Sequence, residues 1–359
     1  MTTSIRSLLA HLPAGGMQLY CPLALREHPL GGKELDRAGV TWLIEQGLCS
    51  PESAYTRMNI GTLMAQGMPF LTDEAAIAVT CYAYWTFAWD DHLDTLAGDL
   101  PQVVALNAEA NRVMLEPPPA PVPDKGPFLT SFRAARSMLE EALGPDGMAA
   151  FRTENAMGLG GQVWKVALRA LPAPPSVGEY LRMRWYKGGL GVLAATTAPG
   201  AGYLMPQAAF YDPLVWAFTQ SVLLPCALIN DIGSLAKETG DGQDGINLVS
   251  ALATEHHLDT ATALLKAAEL YERMVCLTPH LQKRLLADSR PAVVRYAAEL
   301  PQWIPATVEF TATSARYLTA GTDTPVTVSA SPAPLLWDPD DLTPPPYPDI
   351  AWWWHQLHT

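Results

Sequence analysis

Charge is scarce in this 359-residue chain: Asp, Glu, Lys and Arg make up 16% of it, against 49% hydrophobic residues. That balance excludes a largely disordered chain, because disorder needs low hydrophobicity and high charge. Basic residues are scarcer still, 23 Lys and Arg against 36 Asp and Glu, for a formal net charge of −13. A phosphate backbone demands a basic surface, so nucleic acid is excluded as a partner. The five cysteines (Cys21, Cys49, Cys81, Cys226, Cys276) are scattered and show no CxxC spacing. They read as reduced core residues of a cytoplasmic protein, not as disulfide or zinc sites. No run of about eighteen uninterrupted apolar residues is present, so no membrane span is expected. The N-terminal MTTSIRSLLAHLPAGG holds too short an apolar run for a secretory signal. The eight histidines do not fall into the paired Glu-x-x-His motifs of a di-iron bundle.

Strand-like alternation is missing too before the C-terminal tail; what is present is helical period. Segment 34–48 is amphipathic and stops at Gly47. Segment 72–97 opens at Thr72 as N-cap, with Asp73 and Glu74 in its first turn. Helical patterns resume at 128–143, 147–170 and 177–195, after a proline-rich loop from Glu116 to Pro127. The pair Asp212-Pro213 supplies the N-cap and first position of a helix reaching about Thr239, with Pro225 as an expected kink. Segments 258–276, 290–300 and 305–318 complete the set. The fold class is therefore all-α, with one domain over 1–320 and a proline- and tryptophan-rich tail, 321–359, read as extended.

Two polar clusters interrupt apolar helices. Asp90, Asp91 and Asp94 follow the run AAIAVTCYAYWTFAW, near the end of the 72–97 helix. Carboxylates at a helix C-terminus meet partial negative charge, and Asp90 and Asp94 repel at i,i+4. A solvated helix end is the plain reading of such a triplet. Three carboxylates emerging from so apolar a run call instead for a counter-charge, and Mg²⁺ held by oxygens and water suits them. His92, a poor magnesium ligand, reads as solvated or supporting. Tyr84 and Phe87 precede Asp91 on the same face.

The second cluster is NDIGSLAKE. Asn230, Ser234 and Glu238 stand at i, i+4 and i+8, one column of amide, hydroxyl and carboxylate oxygens along a helix. Such a column can bind a hard cation and leave positions for water and phosphate, and Lys237 could reach a phosphate oxygen. A polar face on a surface helix is the alternative, disfavoured because VLLPCALI precedes the cluster.

DDHLD at 90–94 with NDIGSLAKE at 230–238 resembles the two metal-binding motifs of bacterial class I terpene synthases, a resemblance covering roughly residues 15–320. It implies a helical bundle around a central apolar active-site cavity. It implies three Mg²⁺ ions, with Asp90 as main ligand, Asp91 and Asp94 supporting, and Asn230, Ser234 and Glu238 holding the third. Thr95 stands where the family has a further acid.

The family's diphosphate sensor is an Arg 46 residues before the triad's Asn, which here is Arg184 (230 − 184 = 46), with Arg182 as its local rival. Gly188 and Gly189 match the helix break that follows the sensor, and Lys187 replaces the aspartate that usually links the two. Arg316-Tyr317 matches the Arg-Tyr pair closing the last helix, preferred over Arg295-Tyr296. Arg184, Lys237, Arg316 and Tyr317 would bind diphosphate, while Tyr84, Phe87 and Phe310 would face the cation.

The implied partner is a prenyl diphosphate, farnesyl before geranylgeranyl, and a homodimer is a second candidate partner. A chain-elongating prenyl diphosphate synthase would need a second aspartate-rich motif where NDIGSLAKE stands. A non-catalytic helical binding protein of the same fold would be favoured by a missing metal ligand, and every ligand position is filled.

Overall fold

The computed structural model describes residues 16–96, 98–116, 126–169, 173–240, 246–318 and 328–358, of which 236–240 and 318 are described by their backbone alone. The chain divides into two compact units. One comprises Arg26–Ala170 with Trp185–Met205; the other comprises Met1–Leu25, Leu171–Arg184 and Pro206–Thr359.

In the first unit, α1 (Gly32–Glu45) packs on α2 (Ile60–Gly67) and on α3 (Asp73–Thr95). A Cβ on Gly61 would lie 2.2 Å from the Asp36 backbone nitrogen, so glycine is what lets α2 touch the α1 backbone. The Asp36 carboxylate then accepts from Gly61 N at 2.6 Å, Thr62 Oγ1 at 2.6 Å and the Tyr84 hydroxyl at 2.8 Å. One carboxylate thus caps α2 and ties both helices to α3. α3 starts as expected, with the Thr72 hydroxyl accepting from Ala75 N at 3.2 Å.

The next helices are α4 (Leu100–Leu115) and α5 (Pro127–Arg169), the latter broken at Gly144, φ 67°, ahead of Pro145. That break separates the two patterns expected at 128–143 and 147–170. Trp85 stacks on Phe132 at 4.0 Å, which fastens α3 to α5, and on Trp89 one turn further along α3 at 5.1 Å. α6 (Val177–Lys187) ends before α7 (Leu190–Gly200), which packs on α5. The single pattern expected over 177–195 is therefore two helices, with Gly189 between them at φ 62°.

The second unit is built on α9 (Pro213–Gly240), which follows the short α8 (Gln207–Phe210). Asp212 Oδ1 accepts from Leu214 N at 3.0 Å, so the expected Asp-Pro start is realised. α10 (Leu248–Glu255), α11 (Thr260–Leu286) and α13 (Trp303–Thr313) pack on α9; α12 (Pro291–Glu299) packs on α11, and α14 (Ala315–Leu318) follows a break at Ser314. The stretch Pro213–Leu235 is long and apolar enough to cross a membrane, but it is mostly buried, as the central helix of a folded unit is.

The C-terminal residues differ from the extended tail that proline content suggested. β1 (Met17–Tyr20) pairs in parallel with β2 (Val328–Ser331), and α15 (Pro348–His355) is a helix. Pro348 occupies the first helical position, where a missing N–H costs nothing, so this proline starts a helix. Trp353 and Trp354 are buried, and the Trp353 indole donates to Gln220 Oε1 on α9 at 2.8 Å. The expected boundary at 320 and 321 lies outside the described residues.

Candidate functional site

The aspartate cluster sits in the last two turns of α3, in the first unit. Asp90 and Asp94 point at α5, where Lys165 Nζ donates to Asp90 Oδ1 at 2.8 Å and to Asp94 Oδ1 at 2.7 Å. Arg169, one turn further along α5, donates to Asp94 Oδ1 at 2.8 Å. Lys165 is 2% exposed. Burial alone would pull its ammonium down, yet the two carboxylates outweigh burial and hold it above its ordinary value. Asp91 points elsewhere and accepts from the Tyr55 hydroxyl at 2.6 Å.

Neither Lys165 nor Arg169 was singled out from sequence. The signal was there: two cations at i,i+4 inside the apolar stretch WKVALR, a spacing that places both on one helix face. His92, expected as solvated or supporting, is half-buried and stacks on Phe128 at 4.5 Å; burial lowers its pKa, so it is an aromatic packing group. Tyr84, expected to face the cation, is fully buried. Its ring lies against Gly39 of α1 and its hydroxyl is on Asp36, so it takes a packing role. Phe87 is half-buried, three residues before Asp90.

The second cluster belongs to the second unit and is organised by Arg184. This arginine is 5% exposed; its Nε donates to Asp231 Oδ1 at 2.9 Å, and its Nη2 to Asn230 Oδ1 at 2.8 Å and to the Ala227 carbonyl at 3.1 Å. The Tyr180 hydroxyl donates to the other Asp231 oxygen. Tyr180 and Arg184 are thus an i,i+4 pair on α6 that both read Asp231, a residue whose part sequence reasoning did not assign. The Asn230 amide nitrogen donates to the Tyr317 hydroxyl. Arg184, Asn230 and Tyr317, 133 residues apart from first to last (317 − 184), form one continuous chain of donors and acceptors.

Gly233 makes this possible, since a Cβ there would lie 2.4 Å from Thr311 Cγ2 on α13 and 3.6 Å from the Tyr317 ring. Phe310 is buried and meets Tyr317 edge-on at 5.8 Å and 88°. Ser234 is buried one turn past Asn230, and Arg316 is half-buried on α14. Arg182, the rival to Arg184, is exposed and pairs with Asp349 at 2.8 Å, which removes it from the cluster. Arg295, on α12, pairs with Glu299. The side chains of Lys237 and Glu238 lie outside the described residues.

Gly188 and Gly189 form the turn between α6 and α7, in the first unit. There the Lys187 carbonyl accepts from Gln162 Nε2 at 3.2 Å. A Cβ on Gly161 would lie 2.5 Å from Lys187 N, so α5 meets this turn backbone to backbone.

Among the described residues no three acidic, His or Cys side chains form a cage for a metal ion. The donor set still fits a hard cation. Asp90 and Asp94 converge on one ammonium, which occupies the position of a cation between them. Magnesium asks for no cage, because it keeps several waters and takes one or two carboxylates plus substrate phosphates.

Comparison with known proteins agrees with this chemistry. The model of a family described as terpene synthase family 2, C-terminal metal binding, matches residues 81–275. Bonnadiene synthase from Allokutzneria albata is 29% identical over 353 residues, covering 94% of this chain and 96% of its own. A 4-epi-cubebol synthase, (2E,6E)-farnesyl diphosphate cyclizing, from Streptosporangium roseum is 26% identical over 318 residues, covering 84% and 92%. Among solved structures, the SVS_A2 protein from ancestral sequence reconstruction aligns with a TM-score of 0.77 at 23% identity, covering 96% of this chain and 100% of that one. That likeness shows the all-α fold.

Proposed function

We propose, from the premise that this chain belongs to terpene synthase family 2, that it is a magnesium-dependent terpene cyclase acting on a linear prenyl diphosphate. The observation that carries the reading is the chain Arg184–Asn230–Tyr317, which gathers three groups suited to diphosphate and metal from distant parts of the sequence. Bound Mg²⁺, three ions by the family pattern, would supply Lewis acidity to the diphosphate oxygens. Asp90, Asp91 and Asp94 would hold ions, as would Asn230, Ser234 and Glu238.

The residues of this chain then have separable tasks. Arg184 offers a planar guanidinium to diphosphate oxygens, and Asp231 and Tyr180 hold it in orientation. Tyr317, Arg316 and Lys237 add donors for the charge that builds as the allylic carbon–oxygen bond breaks and its electron pair leaves with diphosphate. Phe310, edge-on to Tyr317, and Phe87 are the aromatic candidates for shielding the allylic cation from water. Ring closure consumes the cation by attack of a distal double bond, and proton loss or water capture ends the reaction.

Farnesyl diphosphate is the first candidate substrate, because a relative of this chain carries that specificity in its name; geranylgeranyl diphosphate is the second. The five free cysteines fit a cytoplasmic enzyme. The test is incubation with the ten-, fifteen- and twenty-carbon diphosphates and Mg²⁺, with mass spectrometry of the volatile products. A cyclic hydrocarbon or alcohol from one of them is expected. Chain-elongated diphosphates, or no consumption of any substrate, would overturn the reading.

A further inference from the structure

The ion pair between α3 and α5 is unusual for a site that must take up a divalent cation. An almost fully buried ammonium is bonded to two of the carboxylates meant for that cation, and a guanidinium supports the pair from one turn away. A lone buried lysine is costly, and lysine is almost never buried without a partner. Lys165 therefore stays buried because Asp90 and Asp94 answer it, and those carboxylates are in turn never without a positive charge.

We propose that Lys165, braced by Arg169, is a resident counter-ion of the aspartate cluster, a positioning residue that neutralises Asp90 and Asp94 in the substrate-free protein and holds their affinity for divalent metal low. The inference rests on the reading of Asp90 and Asp94 as metal ligands. Two effects of Lys165 oppose each other. It draws two repelling carboxylates together, which favours metal binding, and it presents a like charge to the metal, which opposes it. The second effect dominates, because Asp90 and Asp94 are neighbours at i,i+4 on α3 whether or not the lysine is there. A cation beside a carboxylate changes its proton affinity by about ten- to a thousandfold, and a divalent ion meets the same field with twice the charge. The device stops the site from closing on metal alone. An incoming diphosphate, itself an anion, gives Lys165 and Arg169 a second partner and frees the carboxylates.

The test is a Mn²⁺ titration of the full-length, substrate-free protein, with free Mn²⁺ read by its electron paramagnetic resonance signal. Lys165→Gln is expected to tighten Mn²⁺ binding by about tenfold or more. Arg169→Gln, on a partly exposed side chain that folding tolerates, is expected to tighten it by a smaller factor. Lys165→Arg, which keeps the charge, is expected to match the wild type, an outcome that a purely packing role would not produce. Should Lys165→Gln not fold, the Arg169→Gln and Lys165→Arg pair decides. Unchanged or weaker binding in Lys165→Gln and Arg169→Gln, with binding weakened in Asp90→Asn, would overturn the inference and leave the metal assignment standing. Wild-type affinity in Asp90→Asn would overturn both.

Discussion

The two polar clusters solve the same problem, placing charge on an apolar helix, in opposite ways. On α3 the would-be ligands are themselves charged, and cations from α5 neutralise them directly. On α9 the described groups of the column are a neutral amide and a hydroxyl, and the charge belongs to Arg184, whose balance comes from Asp231. On the proposed reading, the first cluster exchanges partners before it holds a metal. The second keeps its ion pair, and the ligand oxygens of its described side chains, Asn230 and Ser234, are neutral. The dryness of the two helices is the same: Cys81 on α3 and Cys226 on α9 are both buried, and burial pushes both thiols up to about 12.

The sharpest way to break this contrast is at one aspartate from each cluster, Asp231 and Asp94. Asp231→Ala leaves Arg184 buried with its main counter-charge gone, and should lower stability by about 3–5 kcal/mol in urea unfolding. Asp94→Ala should cost clearly less, about 1–2 kcal/mol, because Lys165 keeps Asp90 and Arg169 is partly exposed. Equal costs would erase the distinction. Next in size is Gly233→Ala, where the new methyl meets a short β-branched side chain at 2.4 Å and α13 must move away. A loss of about 1–3 kcal/mol is expected, with the Asn230–Tyr317 contact disturbed and turnover reduced.

Smaller again is Tyr84→Phe, which deletes one of several donors to Asp36; about 1 kcal/mol is expected, with turnover retained. Lost turnover there would return Tyr84 to the reaction site. The remaining prediction is one of pH, and it leaves the neutral range untouched. A folded thiol pKa of about 12 against an ordinary 9 means that the fold favours the protonated form. That stability is intact below about pH 9 and is lost as the pH rises toward 12. Cys81 and Cys226 should accordingly resist thiol reagents at pH 8, and labelling of one but not the other would show that the helices are not equally dry.

What could be read in advance follows from how local each feature is. Thr72, Asp212-Pro213 and Gly188-Gly189 act within one turn of chain, and the structure has a cap, a helix start and a helix break there. The i, i+4, i+8 column is likewise a property of one helix. Lys165 and Asp90 are 75 residues apart, Tyr180 and Asp231 51, and no local pattern announces such pairs. Tyr84 misled because its spacing from Asp91 says which face it shares on α3, while Gly39 and Asp36 of α1 decide what that face meets. α2, α4 and α10 were not marked out in the sequence; α2 and α10 are eight residues long, too short for the apolar period to stand out. β1 and β2 are four residues each, joined by a pairing that spans most of the chain. α15 was hidden by its own first residue, since a proline reads as a breaker unless its place at the helix start is known.

The most direct measurement is magnesium-dependent release of inorganic diphosphate from farnesyl and geranylgeranyl diphosphate by the wild type and by Asp90→Asn and Asn230→Ala. Release by the wild type that stops on chelation, and falls to background in both variants, is the expected result. Release that persists in either variant, or that continues without a divalent metal, would contradict the assignment of Asp90 and Asn230 to magnesium-dependent diphosphate ionisation.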